Sequence, residues 1–136
     1  METFPLWFGR LAVTAFFAIV FLQSGIDKVV DRKGNLEYLD GHFAASPLRS
    51  LVLPMFWAIT VLEVVAGVLC GLGALALLFG AGPKLALWGL VVSILALLCL
   101  FFGQRLAKDY GGAVVIASYY AVALLGVILL GLKSMP

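Results

Sequence analysis

Residues 51–79 read Leu-Val-Leu-Pro-Met-Phe-Trp-Ala-Ile-Thr-Val-Leu-Glu-Val-Val-Ala-Gly-Val-Leu-Cys-Gly-Leu-Gly-Ala-Leu-Ala-Leu-Leu-Phe, an apolar run with a single charged side chain, Glu63. A helix needs roughly 20 such residues to cross about 30 Å of hydrocarbon, and this run exceeds that length. Its apolar residues are continuous and do not alternate with period two, so the run reads as a helix and not as a barrel strand. A helix also satisfies its own backbone hydrogen bonds, which lipid cannot do. Three further stretches qualify, at about residues 6–30, 85–102 and 114–132. The expected fold is therefore all-α, a single four-helix transmembrane domain covering residues 1–136.

Composition agrees. The 136 residues are 64% hydrophobic and 12% charged, with a mean hydropathy of +1.16. Soluble domains are about 45–50% apolar and about 25% charged, and small ones need proportionally more polar surface. These figures exclude a soluble enzyme and a disordered segment, and a net charge of +2 supplies no basic stripe for nucleic acid.

The breaks between spans carry the charge. Lys28, Asp31, Arg32, Lys33, Glu37, Asp40 and Arg49 cluster around the first loop. There Leu36, Leu39 and Phe43 fall at helical spacing among Asn35, Glu37, Asp40 and His42, which predicts a short amphipathic helix lying in the interface. Ser46-Pro47 reads as the N-cap and first position of the segment entering the second span. Gly80-Ala81-Gly82-Pro83-Lys84 is a tight turn, and residues 104–112 form the third break, with Gly111-Gly112 marking its end. A cleaved signal peptide is the competing reading of the N-terminus. Glu2 in place of a basic cluster, and an apolar stretch about twice the usual signal core, favour a retained span.

Arg10, Lys84 and Lys133 belong to the end bearing both termini, against Lys28, Arg32, Lys33, Arg49, Arg105 and Lys108 at the other. The positive-inside rule then puts the charged loops in the cytoplasm and both termini outside, in the inner membrane of a bacterium. Trp7, Trp57 and Trp88, with Phe4 and Tyr110, lie near span ends as interfacial anchors.

An ionisable group in hydrocarbon costs on the order of 2.5–3.5 kcal/mol on insertion scales, so each one is a candidate functional residue. Glu63 falls about 18 Å from the loop-side face, Ser93 at a similar depth, and Gln23 and Tyr119 about 10 Å in. Gln23 and Asp27 share a helix face, with Ser24 and Lys28 beside them. The expected picture is one intramembrane polar network of Arg10, Gln23, Asp27, Lys28, Glu63, Ser93 and Tyr119. Glu63 either takes up a proton, binds a substrate or quinone head group, or serves as structural glue paired with Lys28 or bonded to Tyr119, Tyr120 or Ser93. Arg10 is expected to snorkel outward, and Asp27 and Lys28 to form a solvated pair. Cys70 and Cys99 sit on different spans and supply no Cys-x-x-Cys, while His42 is the lone histidine and lies in a loop. No haem, metal or thiol-redox ligand set follows from them, and the chain is not expected to be a self-sufficient enzyme. Gly67 and Gly71, extended by Gly73, make a small-residue ridge, and Gly25 joins them as a packing position.

The stretches Arg10-Leu11, Phe21-Leu22-Gln23-Ser24-Gly25-Ile26-Asp27-Lys28 and Glu63-Val64-Val65-Ala66-Gly67-Val68-Leu69-Cys70-Gly71-Leu72-Gly73 resemble the DoxX family of small four-helix membrane proteins. Those proteins show an arginine early in the first helix, a Gly-x-x-Lys at its end, and a Glu followed by small residues and a Gly-Leu-Gly-like end in the second. The resemblance spans about residues 8–75 by motif. Where the family often has an arginine after the second helix, this chain has Gly80 to Lys84. The resemblance implies a membrane subunit acting with partners in oxidative-stress or electron-transfer complexes, such as the small subunits of a thiosulfate:quinone oxidoreductase. It also implies that Arg10, Gly25, Lys28, Glu63 and Gly67 carry the family's polar network and close packing.

The leading functional expectation is a non-catalytic accessory subunit of a larger membrane complex of the respiratory or electron-transfer kind, in contact with membrane lipid and holding no cofactor beyond a quinone or lipid contact. The alternatives are a redox subunit with Glu63 as the proton-linked group of a quinone site, and a small proton-coupled transporter.

Overall fold

The computed structural model describes residues 3–132, so Glu2 and Lys133 lie outside the described residues. Among those residues the chain is helical and has no strand: α1 (Thr3–Val30), α2 (Arg32–His42), α3 (Val52–Leu78), α4 (Lys84–Leu106) and α5 (Tyr110–Gly131). α1, α3, α4 and α5 are each long and apolar enough to cross a membrane, and the protein is a multi-pass membrane protein. α2 is the expected short helix between the first two spans. Its Leu36 and Leu39 are half-buried and the following Phe43 is buried, while Glu37 and Asp40 stay exposed.

The spans run up and down, with α1 beside α3, α3 beside α4, and α4 beside α5. Both described chain ends and the Gly80–Pro83 turn share one end of the bundle, here the terminal end. There Trp7 Nε1–H donates to the Leu77 carbonyl at 2.8 Å. α2 and residues 107–109 meet at the opposite loop end, where His42 Nε2 donates to Gln104 Oε1 at 2.8 Å.

Local chemistry sets the boundaries, and it shortens the third break. α4 runs on through Gln104 and Arg105 and closes in a Schellman motif: the Asp109 N–H donates to the Gln104 carbonyl at 2.9 Å and that of Lys108 to Arg105 at 3.1 Å. This requires Lys108 to take φ +60°, the left-handed region usually left to glycine. Asp109 then caps α5, its carboxylate accepting from the Gly112 N–H at 2.9 Å. Gly111 and Gly112 therefore open α5 and do not end the loop, and a Cβ on Gly112 would lie 2.8 Å from Asp109 Oδ2. The α3–α4 turn repeats the motif with Gly80 at φ +79°.

One cap differs from expectation. Ser46 Oγ accepts from the Leu48 N–H at 3.1 Å, a local serine turn. The chain then makes a 3₁₀ turn over Arg49–Leu51 before α3 starts with no side-chain cap. Ser46 and Pro47 lie too far from Val52 for the serine to reach the helix's free amides.

The small residues of α3 face partners within the chain. A Cβ on Gly67 would sit 2.8 Å from the Leu22 amide of α1, and one on Gly73 would sit 2.5 Å from the Ala86 amide of α4. Gly71 is looser, 3.8 Å from the Leu22 side chain. Around these contacts Phe17, Phe21, Phe56, Leu90 and Leu97 fill the core.

Substituting Gly73→Val should destabilise the fold by about 1–3 kcal/mol, the range for overfilling a packed core. Gly41→Ala, where a Cβ meets nothing within 4 Å, should leave stability unchanged or raise it by up to about 1 kcal/mol. Thermal unfolding of the two variants in detergent checks this, and equal melting temperatures would contradict the packing argument.

Candidate functional site: a buried ion pair between α1 and α3

Glu63 lies eleven residues into α3 from Val52, about 16 Å along the axis, and is 2% exposed. Burying an unpaired carboxylate there is costly, and the fold brings it a partner. Lys28 Nζ of α1 stands 2.8 Å from Glu63 Oε1, and the Ser24 hydroxyl donates to Oε2 at 2.5 Å. Lys28 also donates to Ser24 Oγ at 3.0 Å, so the three side chains close a ring. The Lys28 ammonium is the ionic partner of Oε1, but it approaches off the hydrogen-bonding direction. Oε1 therefore accepts no aligned hydrogen bond.

Backbone proximity makes this ring attainable. Ser24 has a short side chain and reaches Glu63 only where α1 and α3 lie close. Gly25, whose Cβ would stand 2.8 Å from Val64 Cγ2, and Gly67 against Leu22 produce that approach on either side of the ring. The packing positions and the charged positions are thus one arrangement.

The other expected members of the network lie elsewhere. Asp27 is exposed and accepts from Asn35 Nδ2 at 3.2 Å, fixing the corner between α1 and α2, so it does not pair with Lys28. Gln23 is exposed on α1. Ser93 is fully buried in α4, where its hydroxyl donates to the Gly89 carbonyl at 2.7 Å and lies 3.7 Å from Cys70 Sγ. Tyr119 meets the Phe16 ring edge-on at 5.9 Å.

Arg10 does not snorkel outward. It is 7% exposed, and its Nε–H donates to the Leu129 carbonyl at 2.8 Å while a second guanidinium N–H donates to Leu132. The last carbonyls of a helix have no partner within the helix and carry its negative dipole end, so α5 offers Arg10 both acceptors and favourable charge. Lipid offers neither.

Ser24 is the site residue that the network reading left out. It sits one turn before Lys28, which is the signal that placed it on the same face. Among the described residues there is no cluster of three or more His, Cys, Asp and Glu side chains arranged to hold a metal ion. Cys70 and Cys99 are free, the first buried and the second exposed. Set against known proteins, the chain matches no family model, no curated protein and no solved structure.

Removing Lys28 alone should be the costliest change at the site. Lys28→Met leaves the buried carboxylate without its cation, a loss of about 3–5 kcal/mol by analogy with broken buried pairs. The double variant Lys28→Met/Glu63→Gln should recover most of that, because no charge is then left stranded. Unfolding titrations in mixed micelles measure the cycle, and strictly additive losses would show that the two groups do not depend on each other.

Proposed function

We propose that the chain is a DoxX-like, non-catalytic accessory subunit of a larger membrane complex, of the respiratory or electron-transfer kind, in the bacterial cytoplasmic membrane. The observation that carries this reading is the closure of the Glu63 site. Its carboxylate is enclosed by Lys28 and Ser24 of the same chain, and Arg10 is committed to the end of α5. Glu63, Lys28 and Arg10 thus hold helices to one another. What the bundle turns outward is apolar, with Ile19, Val61, Leu125 and Ile128 each more than half exposed, a surface for lipid or for a partner's helices.

The orientation follows from charge. Lys28, Arg32, Lys33, Arg49, Arg105 and Lys108 gather at the loop end, which supports placing that end in the cytoplasm and both termini outside.

A second reading draws on Glu63 Oε1, which keeps one acceptor position without an aligned donor. It makes Glu63 the proton-linked group of a quinone site in a host complex, or of a small proton-coupled transporter.

Native purification in mild detergent tests the first reading: the chain should come out with a larger complex, and a chain that always purifies alone overturns it. Glu63→Gln separates the second. Loss of the host's quinone-linked turnover with assembly intact supports the proton-linked role, and unchanged turnover removes it. Substrate-dependent proton movement in liposomes holding this chain alone would favour the transporter.

A further inference from the structure

A cavity of about 310 Å³ lies at the loop end between α2, α3 and α4, away from the Glu63 ring. Its position follows from a gradient in helix packing. Toward the terminal end and the bundle middle, α3 and α4 touch backbone to backbone, with Cβ atoms on Gly73 and Gly89 meeting amides at 2.5 and 2.8 Å. Toward the loop end this ceases. A Cβ on Gly103 would meet only the Phe43 ring, at 3.4 Å, and no atom of α3 within 4 Å. The helices have parted, and Phe43 and the C-terminal half of α2 roof the gap only in part.

The lining sorts by chemistry. Met55, Phe56, Ile59, Leu62 and Leu100 make walls that offer a ligand no hydrogen bond. Polar groups occur at the α2 side, where His42 and Gln104 bond each other at 2.8 Å and Tyr38 stacks on the His42 ring with centroids 5.4 Å apart. The polar groups of the chamber are thus gathered on its α2 side, and the remaining walls hold nothing to anchor a polar molecule. Lining residues Ala58, Cys99 and Phe102 are themselves exposed on the sides of the spans, so the chamber opens sideways at the level of lipid tails. Its volume sits at the lower end of the roughly 300–1,000 Å³ of ligand sites.

We propose that this chamber binds one acyl chain of a membrane phospholipid, which enters between α3 and α4, with α2 as its roof and the His42–Gln104 bond holding that roof to the end of α4. The head group then rests at the interface, where Arg49 follows lining residue Leu48 and Arg105 follows lining residue Gln104; neither arginine has a carboxylate partner within 4 Å among the described residues. Arg105 is stacked over the Tyr110 ring at 4.7 Å, which leaves its charge without a counter-ion, and two such cations at head-group level favour an anionic phospholipid. A tail of this kind supplies the apolar contacts that the parted helices lack, at the depth where the tail resides in any case. This site is independent of the accessory-subunit reading, since it needs no protein partner.

Native mass spectrometry of the full chain, delipidated and then given phosphatidylglycerol, reads the occupancy. One phospholipid per chain should survive detergent exchange. Ala58→Phe and Gly103→Leu, which fill the chamber, should cut that occupancy at least tenfold, while Ala117→Phe on the exposed side of α5 should not. Equal retention in all three variants, or selective retention of a free fatty acid or an isoprenoid quinone over the phospholipid, overturns the proposal.

A second measurement needs no filled variant. Cys99 lines the chamber, whereas neighbouring Leu98 is exposed but outside it. Adding phosphatidylglycerol should slow N-ethylmaleimide labelling of Cys99 several-fold more than labelling of Leu98→Cys in a Cys99→Ala background. Equal slowing at both positions means that lipid only coats the surface, and overturns the proposal.

Discussion

A carboxylate about 16 Å into a membrane-spanning helix has to find a cation or give up its charge, and this need organises the pairing of α1 with α3. Glu63 is not served by its own helix, where Ile59, Ala66 and Gly67 share its face and the Thr60 hydroxyl donates to the Phe56 carbonyl at 2.6 Å. The partner must come from α1, and it must arrive at the right height and distance. Lys28 has the length to reach down from the loop end, but Ser24 does not. That the Ser24 hydroxyl stands 2.5 Å from Glu63 is possible only because Gly25 and Gly67 let the two backbones approach. The ion pair depends on the glycines. In turn, it rewards the one register in which those glycines face their partners.

The same close approach explains why α3 and α4 behave differently along their length. Gly73 against Ala86 and Gly89 against Cys70 hold the two helices together over the terminal end and the middle. No such pair continues toward the loop end, where large side chains such as Phe56 and Phe43 stand between the helices. Helices in a membrane associate through close van der Waals packing, since no water is expelled between them. Where that contact lapses, side chains of α2 and the roofed chamber take its place.

The four spans were legible because hydropathy over 20 residues is a strong and local signal, and the interfacial α2 because Leu36, Leu39 and Phe43 keep helical spacing. The ends of the elements were less so. Gln104 and Arg105 look like loop residues by polarity, yet they continue α4, since a helix is free to extend beyond the apolar zone until a left-handed residue stops it, here Lys108. The site was legible in part. Lys28 as partner of Glu63 was one of several options beside Tyr119, Tyr120 and Ser93, and depth alone could not choose among them, because it says nothing about which side of the neighbouring helix a group faces or how far a long side chain reaches. Ser93 and Tyr119 share the apolar zone with Glu63 but point to other neighbours. Arg10 was misplaced for a related reason: a single helix shows only that an arginine near its end can reach water, not that another helix's free carbonyls lie closer.

α1 shows how these constraints combine in one helix. Arg10, Thr14, Phe17, Phe21, Ser24 and Lys28 follow one another at spacings of three and four, so they lie on a single stripe facing the bundle. Its two ends are polar and its middle is aromatic, with Phe17 and Phe21 fully or almost fully buried and stacked at 6.1 Å. Average hydropathy sees this helix as merely the least apolar of the four spans. Read as a stripe, the polar residues are tethers: Arg10 reaches α5, Ser24 and Lys28 reach α3, and Thr14 returns its hydroxyl to the Arg10 carbonyl at 2.6 Å. Sliding α1 by one turn, about 5.4 Å, would take Arg10 from the end of α5 and Lys28 from Glu63 together. A helix tied at both ends through charged groups in an apolar medium has one register available, and α1 thereby fixes the heights of both α3 and α5 in the bundle.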